Sequence, residues 1–319
     1  MTRLLPIDVA TYEPSVLHRS DRLWVETNCY VDIWIEVLHA LGLDPVAGLA
    51  FTLSADFDGD QWQFIKFPPE DVRVLYGISA SELNPWKGIE AHVEEQLELG
   101  RYLTVEVDAW WLPDTAGTSY GQAHVKTTIV INDIDRQARR LGYFHNADYF
   151  ELDGDDYDHL IGSKFQGLPP YVELLRTDRM IRRDDQDLAE RVASLVRSHL
   201  ERRPELNPVR QMADRVESDL AWLAASDIEV FHLYAFATLR QCGATAELAG
   251  SLCDWLAARG FDTAASGDAF RRVAEKAKSV QFKLARLMAG RSVDLAPLFD
   301  EMAVDWDAAI DGVVAAAGR

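Results

Sequence analysis

Asn28-Cys29-Tyr30-Val31-Asp32-Ile33-Trp34-Ile35-Glu36-Val37-Leu38-His39-Ala40-Leu41-Gly42 reads as one helix with both ends marked. Asn28 is a preferred N-cap, because its side-chain oxygen accepts a first-turn N–H that has no helical partner. Gly42 ends the helix by adopting the left-handed conformation at no steric cost. Cys29 then falls in the first turn of a strongly apolar helix, Tyr30 to Leu41. Partial positive charge at a helix N-terminus favours the thiolate, the nucleophilic form of cysteine. Cys29 is the candidate nucleophile.

Working outward, the chain changes texture near residue 170. Before it, short runs rich in Val, Ile, Tyr, Trp and Phe predict strands, with Gly, Pro and Asp at the turns. Strands are expected at Phe51 to Leu53, Trp62 to Lys66, Tyr102 to Asp108, Ala123 to Asn132 and Leu141 to His145, and further helices at Pro69 to Leu75 and Gly88 to Leu99. Beyond Leu168-Pro169-Pro170, helices are predicted at Asp187 to Glu201, Pro208 to Ala224, Ile228 to Gln241, Ala244 to Ala258, Ala269 to Met288 and Leu295 to Ala316. Gly243, Gly260, Gly290 and prolines mark the breaks. The prediction is α+β: residues 1–168 form a helix packed on an antiparallel sheet, and residues 169–319 form an α-helical domain.

The chain has 319 residues, 48% hydrophobic and 26% charged, which fits a globular protein of two domains. A formal charge of −20 argues against nucleic acid as a partner, since phosphate binding requires a basic face. No run reaches the roughly 18 to 20 apolar residues of a membrane span. The first ten residues hold Arg3, Pro6 and Asp8 where a signal peptide needs an apolar core. Three cysteines do not make a disulfide framework. A cytoplasmic location is expected.

A cysteine nucleophile needs a base, and the base needs a group to fix its tautomer. His124 opens the apolar stretch Val125 to Ile131, and Asn146 and Asp148 follow the next strand. This order, with Leu41-Gly42, Tyr76-Gly77-Ile78, and Gly100 before Val105-Glu106-Val107-Asp108, resembles the papain-like cysteine fold. It is similar to the N-terminal domain of the butirosin biosynthesis protein H family, and to a bacterial family carrying that module ahead of a helical region. The resemblance spans about residues 15 to 160. It implies a cysteine acyltransferase that takes an acyl or aminoacyl group from the phosphopantetheine thioester of a carrier protein and passes it to an amine, as in specialised metabolism. Carried over, Cys29 is the nucleophile, His124 the base, and Asn146 or else Asp148 the group that orients it. No bound cofactor is implied.

Papain-like enzymes usually place an oxyanion-donating glutamine six positions before the cysteine, where this chain has Leu23. Losing one such donor costs about 2.7 to 4 kcal/mol of transition-state stabilisation, which moves the expected substrate from amides to thioesters. Asn28 is a candidate second donor. Trp110, Trp111 and Tyr120 lie just before His124 and are expected to border the cleft or to pack. The alternatives are a hydrolase using the same residues and a non-catalytic scaffold with a papain-like shell.

The remaining candidates have plainer readings. Cys242 and Cys253 lie inside amphipathic helices and belong to a core. His39, His199 and His232 fall within helices, His18 could line the cleft, and His145 competes with His124 as the base. Asp56 to Asp60 lacks the calcium-loop spacing, and nothing suggests zinc. Arg176, Arg179, Arg182 and Arg183 form a candidate docking face for an acidic carrier protein, and Arg136, Arg139 and Arg140 form a second cluster.

Overall fold

The computed structural model describes residues 1–318 and has mixed α+β architecture, with a helical C-terminal region. Two compact units are made of interleaved segments: residues 1–19, 28–45 and 68–183 in the first, and residues 20–27, 46–67 and 184 onward in the second. Among the described residues, no helix is long and apolar enough to cross a membrane.

The first unit is built on a seven-stranded antiparallel sheet. Its strands are β1 (Thr2–Arg3), β2 (Ala80–Glu82), β3 (Tyr102–Asp108), β4 (Lys126–Asp135), β5 (Arg140–His145), β6 (Asp148–Asp153) and β7 (Val172–Leu175). The order across the sheet is β2-β7-β3-β4-β5-β6, with β1 paired to the far end of β4. Helix α1 (Cys29–Ala40) packs on β4 and β5, and α2 (Pro69–Tyr76), α3 (Ile89–Glu98) and α4 (Gly154–Leu160) complete the unit.

Helix α1 is buried on nearly every side, through Val31, Ile33, Trp34, Ile35, Val37 and Leu38. Asn28 Oδ1 caps it by accepting from Tyr30 N (3.1 Å) and Val31 N (3.0 Å). At the other end Gly42 adopts φ +69°, as its place in the sequence predicts. The Arg182 guanidinium donates to Leu41 O (2.7 Å) and Gly42 O (3.0 Å). Arg183 donates likewise to Leu75 O (2.7 Å) and Val74 O (2.9 Å) at the end of α2. Cationic groups at helix C-termini satisfy orphan carbonyls and complement the dipole.

These contacts bear on two expectations. A domain boundary at 168 would strip β7 and both arginine caps from the sheet unit, whose chain instead runs through Arg183. Arg182 and Arg183, expected at a docking face, are engaged in holding helix ends. Arg176 is clamped on Asp178 by two hydrogen bonds of 2.8 and 2.9 Å.

The second unit holds α5 (Asp185–Glu201), α6 (Pro208–Ala224), α7 (Ile228–Ala235), α8 (Gln241–Ala257), α9 (Ala264–Met288) and α10 (Ala296–Ala317). Residues 51–53 are not a strand but part of a 3₁₀ run, Pro45–Ser54, and 62–66 contribute only an isolated bridge between Phe57 and Trp62. Both apolar runs pack among helices: Trp62 meets Trp306 edge-on at 5.4 Å and donates its backbone N–H to Ala237 O. Cys242 and Cys253 are buried here, and burial raises both thiol pKa values.

The helix break expected at Gly243 is absent. A π-helical turn, Phe236–Arg240, joins α7 to α8 without interruption. Gly243 is there for space, because a Cβ at this position would lie 2.4 Å from the Trp24 indole. Trp24 donates its Nε1–H to Ala274 O (3.2 Å) and lies under the Lys278 ammonium at 4.1 Å. A glycine-to-alanine change inside a helix ordinarily stabilises by about 0.5–1 kcal/mol. Gly243→Ala is expected to do the reverse, costing about 1–3 kcal/mol through overpacking, read as a lower urea midpoint with an unchanged slope.

Candidate functional site

Cys29 is the first residue of α1 and is half-buried. The direction of α1 follows from its arginine cap. Ile181 N donates to Tyr76 O and Arg176 N to Ser79 O, which keeps the Arg182 segment beside the start of β2. There Ala80 pairs with Leu175, and Leu175 with Tyr102, the first residue of β3. The C-terminus of α1 therefore lies toward the end of the sheet where β3 begins, and Cys29 is at the opposite end of the helix.

Strand alternation settles the face. Tyr30 donates its hydroxyl to Glu173 Oε2 (2.7 Å), and Glu173 stands opposite Thr104. Asp108 is four residues on from Thr104 and so shares its face, about 13 Å further along the strand. The first turn of α1 and Asp108 thus share one face of the sheet, with the Tyr30 contact four residues short of Asp108 along β3.

His124 lies two residues before β4 and meets Asp108 there, with Nδ1 2.6 Å from Oδ2. Trp110 stacks on the His124 ring at 4.5 Å and 12°, while its backbone N–H donates to Asp108 Oδ1 (3.0 Å). Asp108, and not Asn146 or Asp148, is therefore the group on the His124 Nδ1. Hydrogen bonding through Nδ1–H leaves Nε2 as the basic nitrogen. The His124 side chain is 70% exposed, so Nε2 is accessible to a substrate.

Asn146 serves the turn. It adopts φ +48° in the two-residue link between β5 and β6, a conformation that asparagine tolerates better than most residues. Asp148 stands opposite His145 and accepts from its neighbour Tyr149 N (2.7 Å). Burial raises its carboxyl pKa, and the Glu36 charge raises it further.

His145 is not available as a base. It follows Phe144, which shares the α1 face with Val130 and Thr104, so alternation turns His145 to the opposite face. There both ring nitrogens are taken, Nδ1 by Asp114 Oδ2 (2.5 Å) and Nε2 by Thr127 Oγ1 (2.8 Å).

Next to Asp108 opens a cleft of about 300 Å³ whose walls include Trp111, His159, Lys164 and Phe165. The Trp111 indole lies flat on the His159 imidazole, at 4.0 Å and 4°. Tyr120 donates to Asp156 Oδ2 (2.9 Å) and so ties the loop to α4. Asp108 and His159 carried no role in the sequence reading. Asp108 closes a strand that pairs with the strand after His124, and that pairing was the available signal. His159 had none, because α4 was not predicted.

His18 belongs to a buried cluster on α1. Nδ1 is 2.5 Å from Glu36 Oε1 and Nε2 is 3.4 Å from Asp32 Oδ1, while Tyr12 donates to Glu36 Oε2 (2.5 Å). Cys29, Asp32 and Glu36 follow the i, i+3, i+7 spacing of a single helix face.

Two family models cover most of the chain: the DUF1839 N-terminal domain matches residues 13–177 and the DUF1839 C-terminal domain matches residues 185–315. The chain belongs to the DUF1839 family. The junction between the two matches falls where the sheet unit passes into the helical unit, after Arg183. No curated protein matches the chain. In this DUF1839 protein Cys29, Asp108 and His124 all lie in the segment matched by the N-terminal domain.

The His18 cluster gives a pH test. Burial pulls the imidazole pKa down, but the hydrogen bonds and charges of Asp32 and Glu36 outweigh it and raise it to about 9. A raised pKa stabilises the fold fully below the unfolded value, near 6.5, and the contribution is lost as pH rises through about 9. The urea-unfolding free energy is expected to fall by about 1–3 kcal/mol between pH 6.5 and pH 9.5. In His18→Gln that fall flattens; an equal fall in the variant would assign it to other groups.

Proposed function

We propose that this DUF1839 protein is a cysteine acyltransferase with a papain-like arrangement of nucleophile and base. Cys29 is the nucleophile, His124 the base and Asp108 the carboxylate that orients it. The observation that carries the reading is the His124 Nδ1 to Asp108 contact at 2.6 Å, on the sheet face that also receives the first turn of α1.

In the proposed reaction the Cys29 thiol gives its proton to His124 Nε2, and the thiolate attacks the carbonyl of a carrier-bound phosphopantetheine thioester. The developing oxyanion is met by the Cys29 backbone N–H, which the Asn28 cap leaves unused by engaging Tyr30 and Val31 instead. The carbon–sulfur bond to the pantetheine thiolate breaks, and His124 returns the proton to that sulfur. An amine then attacks the Cys29 thioester and loses a proton to His124. Collapse forms the amide and restores the Cys29 thiol. The cleft beside Asp108, walled by Trp111 and Phe165, suits an apolar part of the acyl group or acceptor.

Intact mass measurement after mixing with acyl-loaded carrier proteins tests this. A thiol-labile acyl adduct is expected on the wild type and absent from Cys29→Ala. His124→Ala is expected to load about 10²–10⁴-fold more slowly, and Asp108→Asn to lie between it and the wild type. Release of the acyl group by water as fast as by added amines would favour a hydrolase. No adduct across a broad panel of acyl groups would end the proposal.

A further inference from the structure

We infer that Asp114, His145 and Thr127 form a buried latch that positions His124, a role that rests on reading His124 as the base. The three make an acid–imidazole–hydroxyl chain of 2.5 and 2.8 Å, with Tyr143 donating its hydroxyl to the other oxygen of Asp114 (2.6 Å). That composition is the one used by hydrolytic triads. Here the His145 and Asp114 side chains are 2% and 4% exposed and Thr127 is buried, so no substrate reaches the hydroxyl. The sheet face is also the wrong one, opposite the face that carries Asp108.

What the chain does hold is the loop between β3 and β4. Asp114 lies inside that loop, while Tyr143, His145 and Thr127 are fixed in β5 and β4. The next residue, Thr115, donates its hydroxyl to Ala109 O (3.1 Å) and Leu112 O (2.9 Å). Ala109 stands between Asp108 and Trp110, the two residues that touch His124, and its own N–H donates to Val125 O (2.8 Å) beside His124. The path from latch to base is therefore short, one hydrogen bond between peptide-linked neighbours: Asp114 to Thr115, Thr115 Oγ1 to Ala109 O, then Asp108 and Trp110 on either side of Ala109. A buried carboxylate held by hydrogen bonds at both oxygens has one low-energy placement, and the loop inherits it. Asp114, His145 and Thr127 are positioning residues, without contact to the reacting atoms.

The test uses Asp114→Asn and Thr127→Val in the full chain, with cooperative unfolding as the check on folding. Two readouts are followed: the His124 Cε1–H resonance, which the Trp110 indole shifts upfield by stacking, and the rate of Cys29 alkylation at neutral pH. The expected result is a His124 resonance moving toward its unstacked position in both variants. Alkylation is expected to slow on the order of ten- to a hundredfold, as when a base is displaced by a fraction of an ångström to an ångström. Thr127→Val keeps the shape of the side chain and remains informative if Asp114→Asn does not fold. Folded variants with an unmoved resonance, or with a moved resonance and unchanged alkylation, would overturn the inference. If both readouts move while the wild type forms no acyl adduct, the latch stands and the acyltransferase reading falls.

Discussion

Helix α1 is almost wholly buried and can exist only when covered, since apolar residues occupy most of its surface and its Asp32 and Glu36 are paired with buried partners. The sheet covers it on one side, and the polar groups at its two ends must still be satisfied. Asn28 does this at the start and Arg182 at the finish, from opposite ends of the first unit's chain. Because Arg182 comes after β7, the last strand of the sheet cannot be separated from the first helix. The same cap fixes where the C-terminal end of α1 sits on the sheet.

The sheet then sorts the histidines. Successive residues of a strand face opposite sides, so residues close in sequence acquire different fates. Asp108 shares the α1 face and meets His124 at the exposed edge. His145 faces the other way and is buried against Asp114 and Thr127. Two Asp–His pairs of nearly equal length thus differ in exposure, and it is exposure that leaves one imidazole nitrogen available for proton transfer.

Much of this organisation was legible because it follows local rules. The α1 caps, β3, the β4–β5 pair and most of the C-terminal helices follow from capping residues and from periodicity. The errors have a common cause. Residues 51–53 and 62–66 have the composition of strands but lie among helices, where packing outweighs local preference. Gly243 looked like a break because glycine is a poor helix former, yet the residue is required by the Trp24 indole, 219 positions earlier (243 − 24). The short strands β1, β2 and β7 carry too few residues to show a period.

The sequence by itself determined that Cys29 begins a buried helix, that His124 precedes a long apolar strand, and that an antiparallel sheet is followed by helices. Those features depend on neighbours a few residues away. Only the tertiary structure decided that Asp108 holds His124, that Asn146 shapes a turn, and that Arg182 and Arg183 close helices. Each of these depends on strand register or on a contact between distant segments, and a one-residue change of register would send every side chain to the other face.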